Sequence, residues 1–379
     1  MPNIAYFDPV QMLTVKVNEA IAWGVPGVSP NPPPVMTGEK RNMVVACDFS
    51  KSIHGMIDGV HAWHQVFNDT PRGLAIHDGK LYVGVGSTVQ VRNPLTGDLI
   101  STITIPGGVP APINSVRINV MNNQQGVSTT WMTLCFFGNG AGMVRTYTMA
   151  SDVLTLFHSL TQSTQTPRDA YVDELWLWTA DTFGHKVFSV TLESHALGAL
   201  RKTTDVYFPN SICPVPGHPE YVDILAEHEN RAFRWNYNVT PNTRNMIMSA
   251  PVAPFNDILK TKAQIEAEQT GTFDPASTFT PKKSKCATEC SGTHTLYSPN
   301  CMRAFNDRYL IADCDNGRVV TIHNGQVVGE VNGFNNPVTA VLISTDLIDE
   351  PPAEDTPHLA VTLTIGDKTY TGEMDLEEV

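Results

Sequence analysis

The sequence has no long hydrophobic run: none of its segments approaches the roughly 18 consecutive apolar residues that a membrane-spanning helix requires. Positive charge is also scarce, because 25 Lys and Arg residues stand against 38 Asp and Glu residues, a formal net charge of −13. Contacts to phosphate groups need clustered Lys and Arg, and the short basic cluster at 282–285 is typical of a solvated loop. The composition therefore predicts no membrane span and no nucleic-acid partner.

The amino-terminal segment lacks the features of a secretory signal peptide, since it has no basic start and contains Asp8 and Glu19. The seven cysteines are odd in number and scattered, which favours a reducing compartment over a disulfide framework. We therefore predict no signal peptide. The protein is expected to stay in the cytoplasm where it is made, or to be assembled into a larger particle without that signal.

Catalytic motifs are missing as well. The sequence has no G-x-S-x-G elbow, no Walker loop, and no G-x-G-x-x-G that follows a strand and opens a helix. Residues 83–86 contain two glycines, but they lead into another strand and are typical of a hairpin. The sequence therefore predicts no catalytic residues and favours a protein that is not an enzyme.

What the sequence does contain is a repeated phrase, Ala-Asp-x-x-x-Gly-Arg-Val, which begins at Ala312 and recurs with drift at Ala180 and Ala226. The spacing is 46 residues from Ala180 to Ala226, and the 86 residues from there to Ala312 are two steps of 43. Short alternating strands with Gly, Pro or Asn at the turns fill each period. Such a period is typical of a β-propeller, so we predict an all-β propeller forming one domain over residues 43–375.

Six full repeat units and one partial unit can be counted, so seven blades are the first prediction and six blades the second. The full units open at residues 71, 113, 167, 209, 299 and 336, and the last of them includes 358–365 and 369–374. The partial unit, residues 43–48 with 61–67, precedes them. It suggests that strands from both chain ends close the ring and leave no unpaired edge at the junction.

Two stretches do not follow the blade pattern. Residues 1–42 are rich in proline and predict an extended arm. Residues 251–297 predict an insertion with a short amphipathic helix at 256–269. The acidic tail at 376–379 is typical of a solvated chain end. We predict that the arm and the insertion contact other protein subunits.

Six polar residues open the inner strands of the repeats, and the first strand of a propeller blade lines the central channel. They are Arg72, Asn114, Arg168, Asn210, Asn300 and Asn336. A ring of such donors could hold an anion, a sugar or ordered water around the axis. Alternatively, polar residues beside proline could satisfy backbone groups and hydrate the channel without binding any ligand, and this interpretation is favoured because such channels are usually wet and polar.

A second candidate site combines three cysteines and one histidine: Cys286, Cys290, His294 and Cys301. Three thiolates and an imidazole can bind zinc tetrahedrally, and the insertion has little core of its own to hold it together. An isolated disulfide or unpaired thiols explain the same residues, and a small buried residue is expected at Cys301 on a channel strand. These simpler alternatives are favoured, so no cofactor is predicted.

Three histidines lie close together in the sequence, at His54, His61 and His64. On a regular strand His61 and His64 would face opposite sides, because side chains alternate, and this weakens a shared metal site. A turn at 58–59 could bring His54 near one of them, and a lone general base beside Asp58 is a further alternative. The pattern favours ordinary surface or edge histidines.

The Pro-x-x-hydrophobic openings, the Leu-Tyr-Val strand at 81–83 and the Ala-Asp turns resemble the NHL-type repeats of six- or seven-bladed propellers, across about residues 43–375. This resemblance implies an architecture that binding scaffolds, lyases, lactonases and virion components share, so it does not fix a function. The long arm and assembly without a signal also resemble phage tail and capsid proteins in general texture.

Two hypotheses follow from these observations. The first is a non-enzymatic, oligomeric structural propeller within a larger protein assembly, such as a phage virion or tail. The alternative is a propeller enzyme of the lyase or lactonase type, with an ion or small molecule in the central channel. The ring positions carry Arg and Asn rather than carboxylates, which counts against a bound divalent cation.

Overall fold

The computed structural model describes residues 33–122, 128–138, 141–160, 164–173, 176–192, 200–215, 220–227, 231–238, 243–248, 296, 298–323, 326–344, 358–365 and 368–375. Within these ranges the protein is all-β, as the sequence predicts, and its helical structure is one 3-10 turn, Cys314–Asn316. The described part of the chain contains no helix long and apolar enough to cross a membrane.

The described strands number 27. The first nine are β1 (Val35–Gly38), β2 (Met43–Cys47), β3 (Ser52–Ile57), β4 (Val60–Val66), β5 (Pro71–His77), β6 (Lys80–Val85), β7 (Thr88–Arg92), β8 (Leu99–Ile103) and β9 (Ile113–Asn122). The next nine are β10 (Ser128–Gly138), β11 (Ala141–Ala150), β12 (Val153–Leu160), β13 (Pro167–Asp173), β14 (Trp176–Asp181), β15 (Lys186–Thr191), β16 (Leu200–Asp205), β17 (Pro209–Pro214) and β18 (Tyr221–Ala226). The last nine are β19 (Arg231–Asn236), β20 (Thr243–Met248), β21 (Pro299–Phe305), β22 (Arg308–Asp313), β23 (Arg318–His323), β24 (Gln326–Asn332), β25 (Pro337–Leu342), β26 (His358–Ile365) and β27 (Lys368–Asp375).

These strands build six antiparallel blades. Blades two to six are β5–β8, β9–β12, β13–β16, β17–β20 and β21–β24, each in sequence order from its inner strand outward. The closing blade has the order β25-β2-β3-β4, so its inner strand comes from the end of the chain and its other three from the beginning. Each inner strand contacts the inner strands of both neighbouring blades, which closes the ring.

The first prediction, seven blades, is therefore wrong, and the second, six blades, is confirmed. The partial unit at the start and the inner strand of the last unit are two parts of one blade, because Met43 pairs with Leu342 and Cys47 with Pro337. The strands β26 and β27 do not extend that blade as the sequence suggested. They pair with each other in a two-stranded sheet of their own.

The predicted segments outside the blades lie mostly beyond the described residues. Residues 1–32 of the arm, the insertion up to residue 295 and the tail at 376–379 belong to this group. Of the arm, Val35–Gly38 forms β1, which pairs with β24 and adds a fifth strand to the outer edge of blade six.

The hydrophobic core lies between neighbouring blades. Trp178 of blade four and Trp235 of blade five pack edge to face with their ring centroids 6.1 Å apart. Between blades two and three, buried Tyr82 packs in one cluster with Ile113 and Met132. Because both faces of a blade are covered by its neighbours, strands such as β2 are buried along their whole length.

The repeated Ala-Asp phrase has a structural role at the end of the second strand of a blade. The buried carboxylate of Asp181 accepts hydrogen bonds from the backbone N–H groups of Gln165 (2.9 Å) and Thr166 (2.7 Å), which ties down the start of the inner strand. Asp313 accepts from Arg318 Nε at 2.8 Å within its own turn. The third copy of the phrase, which begins at Ala226, is offset by one residue in the structure. Ala226 pairs with Pro209, whereas in the copy that begins at Ala180 the residue that pairs with the equivalent Pro167 is Asp181.

Every blade contains two β-bulges, and they recur at equivalent places. One bulge is at the second residue of the inner strand, and this residue is not paired with any residue of the second strand. The six residues are Arg72, Asn114, Arg168, Asn210, Asn300 and Val338. The other is in the outer strand: Ala62, Ile100, Phe157, Arg201, Ile247 and Val328. A bulge interrupts the alternation of side chains, so it redirects the residues beside it.

Candidate functional site

The inner-strand bulges build a cavity on the propeller axis. In a regular strand two consecutive side chains face opposite sides, whereas here the bulged residue and the residue after it both reach the cavity in five of the six described inner strands. The bulged positions contribute Arg72, Asn114, Arg168, Asn210, Asn300 and Val338, and the following positions contribute Ser115, Asp169, Ser211, Cys301 and Thr339. Five of the six residues predicted to form a ring are thus brought together.

The sixth predicted residue, Asn336, is not part of the cavity lining. It precedes Pro337, whereas the bulged residue of that strand, Val338, follows it. The Asn336 side chain instead accepts a hydrogen bond from the Cys314 thiol, and its carbonyl oxygen accepts one from Asp48 N–H at 3.0 Å. The ring of bulged residues therefore has five polar members and one valine.

The cavity is small and partly open. The space open to the centre of a water molecule is about 20 Å³, which is room for one or two waters or for a group of a few atoms. A whole sugar is too large for this space, so of the ligands that the sequence allowed, a small anion and ordered water fit best.

Two buried hydrogen-bond donors among the lining residues indicate that the cavity could bind an anion. Asn114 is only 8% exposed, and its Nδ2 has no hydrogen-bond partner among the described residues. The Nε of Arg168 is also buried without such a partner. Burial, and then the nearby charge of Arg72, lower the pKa of Arg168, although Glu227 and Asp48 act in the opposite direction. An anion in the cavity would relieve the burial cost of both donors.

Two carboxylates reach the ring from positions that sequence reasoning missed. Asp48 lies 3.1 Å from a terminal nitrogen of Arg72, and Glu227 accepts a hydrogen bond of 2.8 Å from Asn210 Nδ2. Both residues directly follow the second strand of their blade. The equivalence of Asp48 and Glu227 was hidden by the offset in the third copy of the phrase. The phrase aligned Glu227 with Asp181, but Asp181 accepts hydrogen bonds from backbone N–H groups.

A buried ionic cluster lies beside this ring. Arg117 Nε and one terminal nitrogen lie 2.9 and 2.5 Å from the carboxylate oxygens of Asp169, and Arg303 lies 3.4 Å away. Ser115 and Ser211 also donate to this carboxylate, at 3.0 and 2.7 Å. Burial raises the pKa of Asp169, but the charges of Arg117 and Arg303 outweigh it and hold the pKa at about 2.

Asp169 thus links the inner strands of four blades, because it lies on β13 and its partners come from β9, β17 and β21. The pKa of Arg117 is raised, since the interactions with Asp169 outweigh the opposing effect of burial. Contacts between the inner strands of different blades cannot be predicted from the sequence of a single repeat. The cluster is ionised and paired at neutral pH, so its role is structural, and the unpaired donors of the ring remain the binding candidates.

The predicted zinc set cannot be assembled from the described residues. Cys286, Cys290 and His294 lie outside them. Cys301 is buried on β21, where its sulfur accepts a hydrogen bond of 3.3 Å from Thr339 Oγ1. It is one of five unpaired cysteines in the described ranges.

The three histidines of the closing blade lie together, contrary to the alternation expected from the sequence. His64 pairs with His54 and His61 with Met56, so the bulge at Ala62 places all three imidazoles on one face of the hairpin β3–β4. Their ring centroids are 5.4 to 6.1 Å apart. Burial and the neighbouring rings lower the pKa of His54, and they lower that of His61 to about 4.

Comparison with known proteins supports the architecture. No protein-family model and no curated protein sequence matches the chain. A crystal structure of a protein of unknown function from Bacteroides caccae is similar, with a TM-score of 0.52 and 11% identity, over 80% of this chain and 98% of that one. A functionally unknown protein from Desulfotomaculum acetoxidans DSM 771 has a TM-score of 0.44 and 15% identity, over 83% and 89% of the two chains. A chain of the nidogen/laminin complex has 0.45 and 10%, over 78% and 100%. At 11% identity, the first likeness shows the propeller fold alone.

Proposed function

We propose that this propeller is a non-catalytic binding protein that holds a small oxyanion, such as the carboxylate end of a ligand, in its central cavity. The observation that carries the proposal is the pair of buried donors, Asn114 Nδ2 and Arg168 Nε, that lack hydrogen-bond partners among the described residues of one small cavity. A buried donor without an acceptor costs about 1–3 kcal/mol, and a carboxylate brings two oxygens that can accept hydrogen bonds from such donors.

Charge supports an anion over a cation. The cavity lining contributes three guanidinium groups, Arg72, Arg168 and Arg303, and one carboxylate, that of Asp169. Arg72 is paired with Asp48 and Arg303 with Asp169, whereas among the described residues no carboxylate forms an ion pair with Arg168. Glu227 is already bonded to Asn210 and Ser298, at 2.8 and 2.9 Å. A divalent cation would need several carboxylate or carbonyl oxygens directed at one point, whereas the atoms left over here are donors.

The test uses sodium formate as the probe, compared with sodium chloride at the same ionic strength. We expect formate to raise the thermal midpoint of the full chain, because a ligand that binds only the folded state stabilises it. Arg168→Met should weaken formate binding by roughly 10- to 100-fold, the equivalent of about 1.5–3 kcal/mol for a hydrogen bond to a charged group. In the absence of formate this variant should be no less stable, since it removes a guanidinium whose Nε is buried without a hydrogen-bond partner among the described residues.

Arg308→Met is the matched control, because Arg308 pairs with Glu39 and lies outside the cavity lining. Its response to formate should equal that of the unmodified chain. Equal responses of the unmodified chain and Arg168→Met would contradict the proposal.

A second candidate function is the assembly scaffold suggested by the sequence, including the NHL-type relationship and a place in a phage virion or tail. Large apolar side chains exposed on the outer strands of three consecutive blades favour it: Val60, Val66, Leu99, Ile100, Val153 and Leu156. Where such side chains adjoin one another, they form the kind of apolar surface that is typical of protein–protein contacts. Native mass spectrometry should then detect a multimer that Val66→Lys and Leu99→Lys together convert to a folded monomer. A monomer for the unmodified chain at micromolar concentration would contradict self-assembly.

A further inference from the structure

We propose that His54, His61 and His64 form a binding site for a divalent first-row transition metal ion, with Zn²⁺ as the simplest occupant. The site lies on the outer hairpin of the closing blade, apart from the central cavity. Imidazole is a ligand that suits Zn²⁺, Ni²⁺ and Cu²⁺.

Two of the three ligand atoms already have the spacing that a metal requires. His54 Nδ1 and His61 Nε2 are 3.2 Å apart. With zinc–nitrogen bonds of 2.0–2.1 Å, two nitrogens on a tetrahedral ion are separated by roughly 3.3 Å. A zinc ion can therefore replace the hydrogen bond between these rings with little movement of either.

His54 is also oriented as metal-binding histidines are. Its second ring nitrogen, Nε2, lies 2.8 Å from Ser52 Oγ, which in turn lies 2.7 Å from Ser50 Oγ, and both serines are buried. When Nε2 donates its proton to Ser52, the lone pair of Nδ1 is left to face His61 and the ion. A polar partner of this kind fixes the tautomer and the ring orientation of a ligand histidine.

The third ligand closes the site. In the described part of the chain, no group of three or more His, Cys, Asp or Glu side chains is already positioned to hold a metal ion, so the third histidine has to move. The centroid of His64 is 6.1 Å from those of both other histidines, about an ångström more than tetrahedral ligation needs. His64 is only partly buried, so its ring can turn toward the pair, and a water molecule would complete the four ligands.

The test is a titration of the untagged, EDTA-treated full chain with ZnCl₂, followed by calorimetry, and with CoCl₂, followed by visible absorption. Cys286→Ser with Cys290→Ser forms the background, so that thiolates of the insertion cannot supply the ligands. We expect one ion per chain and a tetrahedral cobalt spectrum without a thiolate charge-transfer band. His61→Gln should weaken zinc binding by more than tenfold, and Ser52→Ala by a smaller factor, because it removes only the orienting partner.

His323→Gln is the matched control, since His323 is a partly buried histidine of blade six that is bonded to the backbone of Asp307 at 3.3 Å. It should bind zinc as the background does. Absence of zinc binding in the background, or equal binding by the background and a folded His61→Gln, would overturn the proposal. If His61→Gln fails to fold, His64→Gln, the more exposed ligand, decides between the same two outcomes.

Discussion

The central cavity and the histidine cluster of the closing blade are both built by β-bulges, yet only the first was foreseen from the sequence. In the cavity, the bulged residues follow proline in five of the six inner strands. In the cluster, a bulge at Ala62 turns His61 to the side that His64 occupies. The two regions differ in whether a residue pattern in the sequence indicates the position of the bulge.

The inner bulges have a sequence signature, and the outer ones do not. A proline at the start of a strand fixes the position of the polar residue after it, so the repeats could be aligned there. The outer strands have bulges at equivalent places in all six blades, but the bulged residues share no residue type, from Ala62 to Phe157 and Val328. A structural repeat without a sequence repeat can be found only in three dimensions.

The largest expected effect concerns the buried ions beside the cavity. Asp169→Asn removes the charge that Arg117 and Arg303 face, and leaving buried charges without their partner costs about 3–5 kcal/mol. The free energy of unfolding in urea should fall by this amount. Asp307→Asn, at a carboxylate that is 62% exposed, is the control and should cause no measurable change. A small effect of Asp169→Asn would mean that the inner strands are held by packing alone.

The same carboxylate predicts a pH dependence. Its pKa in the folded state, about 2, is below the ordinary value of 3.8, so its contribution to stability is present above pH 4. That contribution is lost as the pH falls through about 2. The difference in the free energy of unfolding between the unmodified chain and Asp169→Asn should therefore shrink as the pH is lowered from 5 to 2. A constant difference would show that Asp169 acts through its shape rather than its charge.

A pair of glycine substitutions compares the two regions directly. A Cβ on Gly73, in the inner ring, would lie 2.5 Å from the backbone N of Val116, which cannot move without shifting a strand. A Cβ on Gly55, beside the histidine cluster, would lie 2.1 Å from the Trp63 ring, a partly buried side chain. We expect Gly73→Ala to cost about 2–3 kcal/mol and Gly55→Ala about 1 kcal/mol, by chemical denaturation. The reverse order would indicate that the inner ring is the more adaptable region.

The smallest expected effect tests whether the ring works as a set of equivalent positions. Val338 occupies the bulged position of the closing blade, where the other blades have Arg or Asn. Val338→Asn should strengthen formate binding by up to about fivefold, the equivalent of one added hydrogen bond of about 1 kcal/mol. Unchanged binding in a folded variant would mean that this blade stands too far from the ligand to contribute.

Much of the fold could be predicted because it depends on repeated local patterns. The Asp-Gly pairs at 58–59 and 78–79 have positive φ angles at both residues and connect β3 to β4 and β5 to β6, as such pairs do in hairpins. Closure of the ring by strands from both chain ends agrees with the sequence prediction, but seven blades was wrong because the partial unit and the last unit count as one blade. Only the pairing of Met43 with Leu342 shows this, and these two residues share no local pattern.

The candidate site also divides into residues that local sequence patterns predict and residues that they do not. The polar residues at Arg72, Asn114 and Arg168 could be recognised from their places in the repeat. The carboxylates around them could not, because Asp48 reaches Arg72 from the neighbouring blade, and Glu227 reaches Asn210 from a position that the repeated phrase aligned one residue out of register. Whether a donor is left without an acceptor depends on every neighbour around the axis, and no single repeat contains that information.

By itself, the sequence determined that the chain forms antiparallel blades and which polar residues begin the inner strands, because alternation and turn chemistry act over a few residues. Only the tertiary structure decided the number of blades, the pairing of Asp169 with Arg117 and Arg303, and the convergence of His54, His61 and His64. These features depend on contacts between distant segments and on bulges that shift the alternation by one residue. A shift of one residue moves a side chain to the other face of its strand. Local sequence patterns do not reveal such a shift, so the contacts that depend on it can be identified only in the folded structure.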